Sequence, residues 1–235
     1  MLITIVTIFP EMFPGALAYS LAGKNLGKLW DLRTVDIREF AHDKHKKVDD
    51  TPYGGGNGML MKPDVVHDAM KYALSFYANQ PEILFMSPKG TPFSNQIANT
   101  LSKNPNGIII LCGRYEGIDQ RVIDYWKANH DLKEISIGDY ILFGGEIPAM
   151  VVIDSCLRFV PGMMGNSESV NDESFAIDLL EYPQYTKPAI WEKYNVPSVL
   201  LSGNHEEIAS WRIAQSKQIT QERRPDLWQR FCSRK

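Results

Sequence analysis

Along the first two thirds of the chain, short continuous apolar runs alternate with longer stretches of helical spacing, so strands interleaved with helices are predicted. Leu2 to Phe9 is a near-continuous apolar run suited to a first strand, Ala16 to Leu26 has helical spacing, and Leu32 to Ile37 is extended. Asp64 to Tyr77 predicts a helix, and Ile83 to Ser87 a short strand stopped by Pro88 and Gly90. The rhythm then repeats, with a helix over Phe93 to Ser102, a strand over Gly107 to Cys112, a helix over Ile118 to Ala128, a strand over Glu134 to Ile137 and an apolar helix over Gly144 to Phe159. Gly107 to Cys112 is apolar throughout, as a central strand covered on both faces requires. The expected class is α/β with a mostly parallel sheet.

From Pro161 to Ser174 the residues change to Gly, Met, Asn, Ser and acids, with little to bury, and the segment reads as a linker. Glu181 to Gly203 is rich in Pro and Tyr with weak periodicity, and two helices follow, His205 to Ile219 and Pro225 to Phe231. Asn204 can cap the first, and Pro225 suits the first turn of the second. The expected organisation is an α/β domain over residues 1–160, a flexible linker over 161–174 and a small helical domain over 175–235.

No run of 18 apolar residues occurs, and the N-terminal strand lacks a basic leader, so neither a spanning helix nor a signal peptide is expected and the protein reads as cytoplasmic. Three cysteines, at 112, 156 and 232, form no CxxC, which argues against a disulfide framework or a zinc knuckle and leaves them as buried small hydrophobes. The net charge of −3 supplies no global attraction for nucleic acid, so such binding requires local patches. From Leu200 onward there are seven basic and four acidic residues, a local balance of +3.

Spelling excludes several familiar chemistries. Gly23-Lys24 is followed by Asn25, with Ala at position 18, so the phosphate-cradling loop of ATPases is missing, and no glycine pair completes a dinucleotide fingerprint. GxSxG and HExxH are also absent. Three strands end in polar, glycine-bearing loops: Ser87-Pro88-Lys89-Gly90, Cys112 to Gly117, and Ile137 to Tyr140. Ligands of open α/β sheets bind beyond such carboxyl ends. Ile137 to Pro148 sets glycines among large apolar residues, which suits either an adenosine lying on bare backbone or an ordinary strand-to-helix turn. Val48 to Met59, with four glycines in five positions, is a surface turn or a ligand loop. His42 to Lys47 reads as a phosphate-contacting patch, a solvated loop or, least of all, a metal site. The carboxylates of Asn171-Asp172-Glu173-Ser174-Phe175 belong to a solvated loop or to catalysis.

Six motifs in order resemble one family: Val48-Asp49-Asp50; Tyr53 to Gly56 with Gly58-Met59; Cys112-Gly113-Arg114-Tyr115-Glu116-Gly117; Ser136 to Tyr140; Gly144-Gly145-Glu146; and Leu201-Ser202-Gly203-Asn204-His205. Together they resemble the bacterial tRNA (guanine-N1)-methyltransferases of TrmD type, in the SPOUT superfamily, over nearly the whole chain. The resemblance implies a parallel sheet with a deep trefoil knot, a homodimer with the active site between subunits, and methylation of the guanosine 3′ of the anticodon. It implies S-adenosylmethionine held by Ser87, Pro88 and Gly90, by Gly113, Tyr115, Glu116 and Gly117, and by Ile137, Gly138, Asp139, Tyr140, Ile141, Leu142, Gly144, Gly145 and Pro148. Adenine would meet the backbone of Ile137, Tyr140 and Leu142, and Glu181 matches an acidic residue near the cosubstrate's amino group. No protein metal ligand is implied, although Mg²⁺ is left open as an assistant.

Guanine N1 carries a proton that must leave before its lone pair can attack the methyl group. In similar enzymes an Asp directly before Ser-Phe removes it. Here Glu173 holds that position, one methylene longer, with Asp172 as the alternate. Arg158 matches the family's arginine, whose cation would offset charge on guanine O6. The linker is expected to order on tRNA binding, and the basic terminal helices to grip the anticodon stem through phosphates. The rivals are an RNA-binding module without catalysis and a ribose 2′-O-methyltransferase of the same superfamily.

Overall fold

The computed structural model describes residues 1–164, 174–175 and 177–233. The chain divides into two compact units, residues 1–165 and 166–235. In the first, β1 (Leu2–Thr7), α1 (Ser20–Asn25), β2 (Asp31–Asp36), β3 (Asp49–Asp50), β4 (Leu60–Met61), α2 (Pro63–Leu74), β5 (Glu82–Pro92), α3 (Asn95–Ser102), β6 (Ile108–Cys112), α4 (Gln120–His130), β7 (Lys133–Ser136) and α5 (Glu146–Leu157) follow one another. The second holds a two-stranded ribbon, β8 (Ile190–Trp191) and β9 (Tyr194–Asn195), then α6 (His205–Arg223) and α7 (Pro225–Ser233). As predicted, Asn204 caps α6, its side chain accepting from the N–H groups of Glu206 and Glu207, and Pro225 opens α7.

Five strands form one sheet in the order β2-β1-β6-β5-β7, and every pairing is parallel. The all-apolar run sits at the centre as β6, buried at all five positions. Side chains alternate across the sheet. Ile108, Ile110 and Cys112 face a layer that includes Val152 and Ile153 of α5 and Leu101 of α3, while Ile109 and Leu111 face Val65, Val66 and Met70 of α2 and Trp126 of α4. Pro63 starts α2, and its buried residues Val65, Val66, Ala69, Met70 and Ala73 form one stripe at helical spacing.

Several expectations are corrected. Ala16 to Leu26 is not one helix: a 3₁₀ turn over Gly15–Ala18 gives way to an extended Tyr19, and α1 starts afterwards. The chain doubles back so tightly that a Cβ on Gly23 would lie 1.9 Å from the Ala18 carbonyl oxygen. Pro88 does not end β5. The strand continues to Pro92 across a bulge, Met86 and Thr91 both opposing Ile135 of β7, and a bulge is where a strand tolerates a residue without an N–H. The apolar helix begins at Glu146, two residues later than expected. The glycine-rich stretch is flanked by a short antiparallel pair, β3 with β4, which periodicity did not reveal. At the head of the expected linker, Met163 is buried in the core, its sulfur accepting from Asn25 Nδ2 at 3.4 Å.

Cys112 and Cys156 are buried as expected, whereas Cys232 is exposed on α7. Burial pushes the Cys156 thiol up to about 12. Cys112 is also raised, by burial and then by the nearby Glu146. Because the thiolate is the nucleophile, the native protein should release about one thiol equivalent rapidly to Ellman's reagent and all three after denaturation. Rapid release of two or more from the native fold would contradict this burial.

Candidate active site

The carboxyl ends of β5, β6 and β7 open on one side of the sheet. There the β5 bulge, the loop after β6 and the loop between β7 and α5 line a cleft of about 300 Å³. From the bulge come Ser87 and Pro88; from the second loop Gly113, Tyr115, Glu116 and Gly117; from the third Ile137, Gly138, Tyr140, Ile141, Leu142, Gly144 and Gly145; and from α5, Pro148. The three segments picked out by spelling therefore converge in space, two as strand-end loops and one as the bulge within β5. Gly90 and Asp139 do not line the cleft. A Cβ on Gly90 would lie 2.4 Å from the Glu134 carbonyl carbon, so this glycine lets the bulge rest on β7.

The third loop is shaped by its own polar groups. The Gly138 N–H donates to Ser136 Oγ at 3.2 Å, and the Tyr140 hydroxyl folds back to the Ile137 carbonyl at 3.0 Å. Gly138 has φ of +144°, and a Cβ there would meet the Tyr140 ring at 2.6 Å. Gly145 anchors the far end. Its N–H donates to the Gly113 carbonyl at 3.0 Å, and its own Cβ would stand 2.8 Å from Cys112 Cα.

In the second loop Tyr115 takes a left-handed φ of +57°, a conformation that costs a non-glycine residue about 1–3 kcal/mol and is kept only where surroundings impose it. Partial burial and the charge of Asp49 raise its phenol above the ordinary value, keeping it a neutral donor. The glycine-rich stretch reaches this loop. Glu116 N–H donates to the Met59 carbonyl at 3.0 Å and Met61 N–H to the Gly117 carbonyl at 2.9 Å. A Cβ on Gly58 would lie 2.4 Å from Glu116 Cγ, so that glycine makes room for a cleft carboxylate. Gly54, Gly55 and Gly56 have positive φ and nothing within 4 Å, and they form an open turn.

Some lining residues were not singled out beforehand, among them Gln120 and Glu134. Burial works to raise Glu134, but Lys127 at 2.7 Å and the Ser87 hydroxyl outweigh it and hold the carboxyl below its ordinary range. Nothing in the local spelling at 134 announced this. Arg158 is exposed just past the end of α5, outside the cleft lining. Glu181 belongs to the second unit, where its N–H donates to Ser174 Oγ at 2.9 Å. Asp172 and Glu173 lie outside the described residues. Among the described residues no group of three or more His, Cys, Asp or Glu is placed to hold a metal; His42 lies instead 3.4 Å from Asp68. No helix there is long and apolar enough to cross a membrane. The second unit has its own hollow of about 350 Å³, lined by Tyr182, Tyr185, Lys187 and Arg212 among others.

Gly145→Ala should lower unfolding stability by about 1–3 kcal/mol, because the added methyl meets backbone that has nowhere to move. Denaturant titration of the variant checks this, and an unchanged midpoint would contradict the close approach.

The family model for tRNA (Guanine-1)-methyltransferase TrmD matches residues 1–230. The chain is 55% identical over 228 residues to the tRNA (guanine-N(1)-)-methyltransferase of Wolbachia pipientis subsp. Culex pipiens, covering 96% of each protein. It is 52% identical over 226 residues to the enzyme of that name from Roseobacter denitrificans, covering 95% of this chain and 91% of the relative. With the Pelagibacter ubique enzyme of the same name it shares 51% over 231 residues, 97% of this chain and 96% of the other. Agreement at this level over the length of both partners leaves one assignment: the chain belongs to the tRNA (guanine-1)-methyltransferase TrmD family.

Proposed function

We propose that the chain transfers a methyl group from S-adenosylmethionine to N1 of the guanosine at position 37 of tRNA, 3′ of the anticodon. The observation that carries this reading is the family match across residues 1–230. The cleft supports the cosubstrate. Ile137, Ile141 and Leu142 offer apolar walls for an adenine, glycine backbone permits close approach, and the carboxylates of Glu116 and Glu134 suit a cationic ligand. When bound, S-adenosylmethionine supplies an electrophilic methyl on a sulfonium that departs as a neutral thioether.

The protein's task is then alignment and proton removal. Glu173 takes the N1 proton as the N1 electron pair forms its bond to the methyl carbon and the carbon–sulfur pair stays with sulfur. Asp172 is the alternate base. Arg158 places a guanidinium where negative charge grows on guanine O6, and Glu181 faces the cosubstrate's ammonium. The second unit holds the anticodon stem, with the cations of α6 and α7 on phosphates. In this reading the SPOUT knot runs through the carboxyl-terminal part of the first unit, and the enzyme works in the cytoplasm.

The reading also calls for a second copy of the chain. α5 is apolar nearly all round, a pattern that fits a helix covered on every side. Yet Ile147 and Val151 are 55% and 45% exposed, and Phe143 beside its start is 96% exposed. A homodimer formed on this face would cover them, with the active site between subunits.

Single-turnover methyl transfer to a tRNA transcript tests the chemistry. Wild type should methylate guanosine 37 at N1, read by mass spectrometry, and Glu173→Gln should slow transfer by about 100-fold or more, the usual worth of a positioned base. Full activity in both Glu173→Gln and Asp172→Asn would remove the proposed base, and a methyl found on ribose would overturn the reaction.

A further inference from the structure

Glu146 is the first residue of α5 and has no exposed surface. A carboxylate withdrawn from water is costly unless each oxygen is matched, and both are. Thr7 Oγ1, at the end of β1, donates to Oε1 at 2.7 Å, and Arg114 Nε donates to Oε2 at 2.8 Å. The Thr7 hydroxyl also accepts the Phe9 N–H at 3.0 Å, so its own hydrogen is left for Glu146.

Arg114 extends this connection. Its Nη1 donates to the Phe143 carbonyl at 3.4 Å, its Nη2 reaches the Met12 sulfur at 3.3 Å, and its guanidinium lies 4.4 Å over the Phe9 ring. Gly144 lets the pair pass beneath the loop, because a Cβ there would fall 2.3 Å from Arg114 Nε and 2.6 Å from Glu146 Oε2. Residue 114 of the loop after β6 and residues 143–146 of the loop before α5 are thus joined, and Thr7 pins the junction to the sheet. These are two of the loops that line the cleft, yet neither Thr7 nor Glu146 lines it.

We infer that Glu146, held by Thr7 and Arg114, is a positioning residue that sets the separation of the two cofactor loops and thereby the affinity for S-adenosylmethionine. This rests on the proposed function. A buried ion pair is no better than well-packed apolar groups at stabilising a fold. What it adds is direction: one carboxylate with two fixed donors locates three backbone segments relative to one another. A merely cohesive contact would affect the whole first unit, whereas this one acts on the cleft.

Calorimetry with S-adenosylmethionine, filter binding with tRNA and thermal unfolding test the inference on the full chain. Glu146→Gln keeps the shape and removes the charge. It should weaken cosubstrate binding by about tenfold, raise KM for S-adenosylmethionine with kcat at saturation retained, and leave tRNA affinity within about twofold. Thr7→Val, which deletes the hydroxyl's bonds to Glu146 and to the Phe9 N–H and leaves the ion pair, should shift the same quantities by less and serves if Glu146→Gln does not fold. Arg114→Gln combined with Glu146→Gln should cost less than the sum of the single changes. Folded variants with wild-type cosubstrate affinity, or with equal losses for cosubstrate and tRNA, would overturn the positioning role alone. Wild-type protein that binds no S-adenosylmethionine would instead overturn the assigned reaction and this inference with it.

Discussion

Gly145 sits with its backbone against Cys112 and Gly113 at a distance that leaves no room for a side chain, and its N–H is spent on the Gly113 carbonyl. That contact decides where the chain coming off β7 returns to the sheet. The loop between must leave β7, pass over the carboxyl ends of the strands and come back to start α5 against the end of β6. Its length and its glycines follow from that path. The cleft is the space this detour leaves, so its position is fixed by where backbone can touch backbone, and the loop residues Ile141 and Leu142 that wall it remain exposed.

The sheet was readable because burial on two faces leaves a direct trace in composition. Ile108 to Cys112 had to be central, and β1, with Ile3 and Ile5 on one face and Val6 on the other, had to lie beside a covered neighbour. The errors share one origin. Helical spacing in Ala16 to Leu26 is real, but the Trp30 indole donates to the Ala22 carbonyl at 2.8 Å and the tight fold at Gly23 prevents a continuous helix. Pro88 punctuates a strand only if every residue must pair, and in β5 residues 87–90 do not. Met163 fell within a segment read as a linker because Pro161 to Ser174 offers little to bury, although one methionine can fill a gap in the core. In each case a partner distant in sequence overrode the local signal.

The candidate site was legible at the level of loops and much less so at the level of pairs. The rule that ligands gather at strand carboxyl ends selected three segments, and they meet. Spelling could not say that Glu146 reaches Thr7 across 139 positions of sequence, or that Gly58 yields its volume to Glu116. It also could not separate glycines facing the cleft from Gly90, which faces a strand. A glycine marks a close approach without naming what approaches.

Charge in the second unit shows why a net count is a poor guide to a polyanion surface. Arg224 and Arg230 share Asp226, and Arg212 lies 4.8 Å over the Tyr182 ring. Such cations are already oriented and partly neutralised, so they project little field beyond a Debye length. With a total of −3 over the chain, long-range attraction of RNA is weak. Under the proposed function these groups would serve contact-range recognition, a planar guanidinium beside an aromatic face, which suits stacking and bidentate phosphate bonds more than steering.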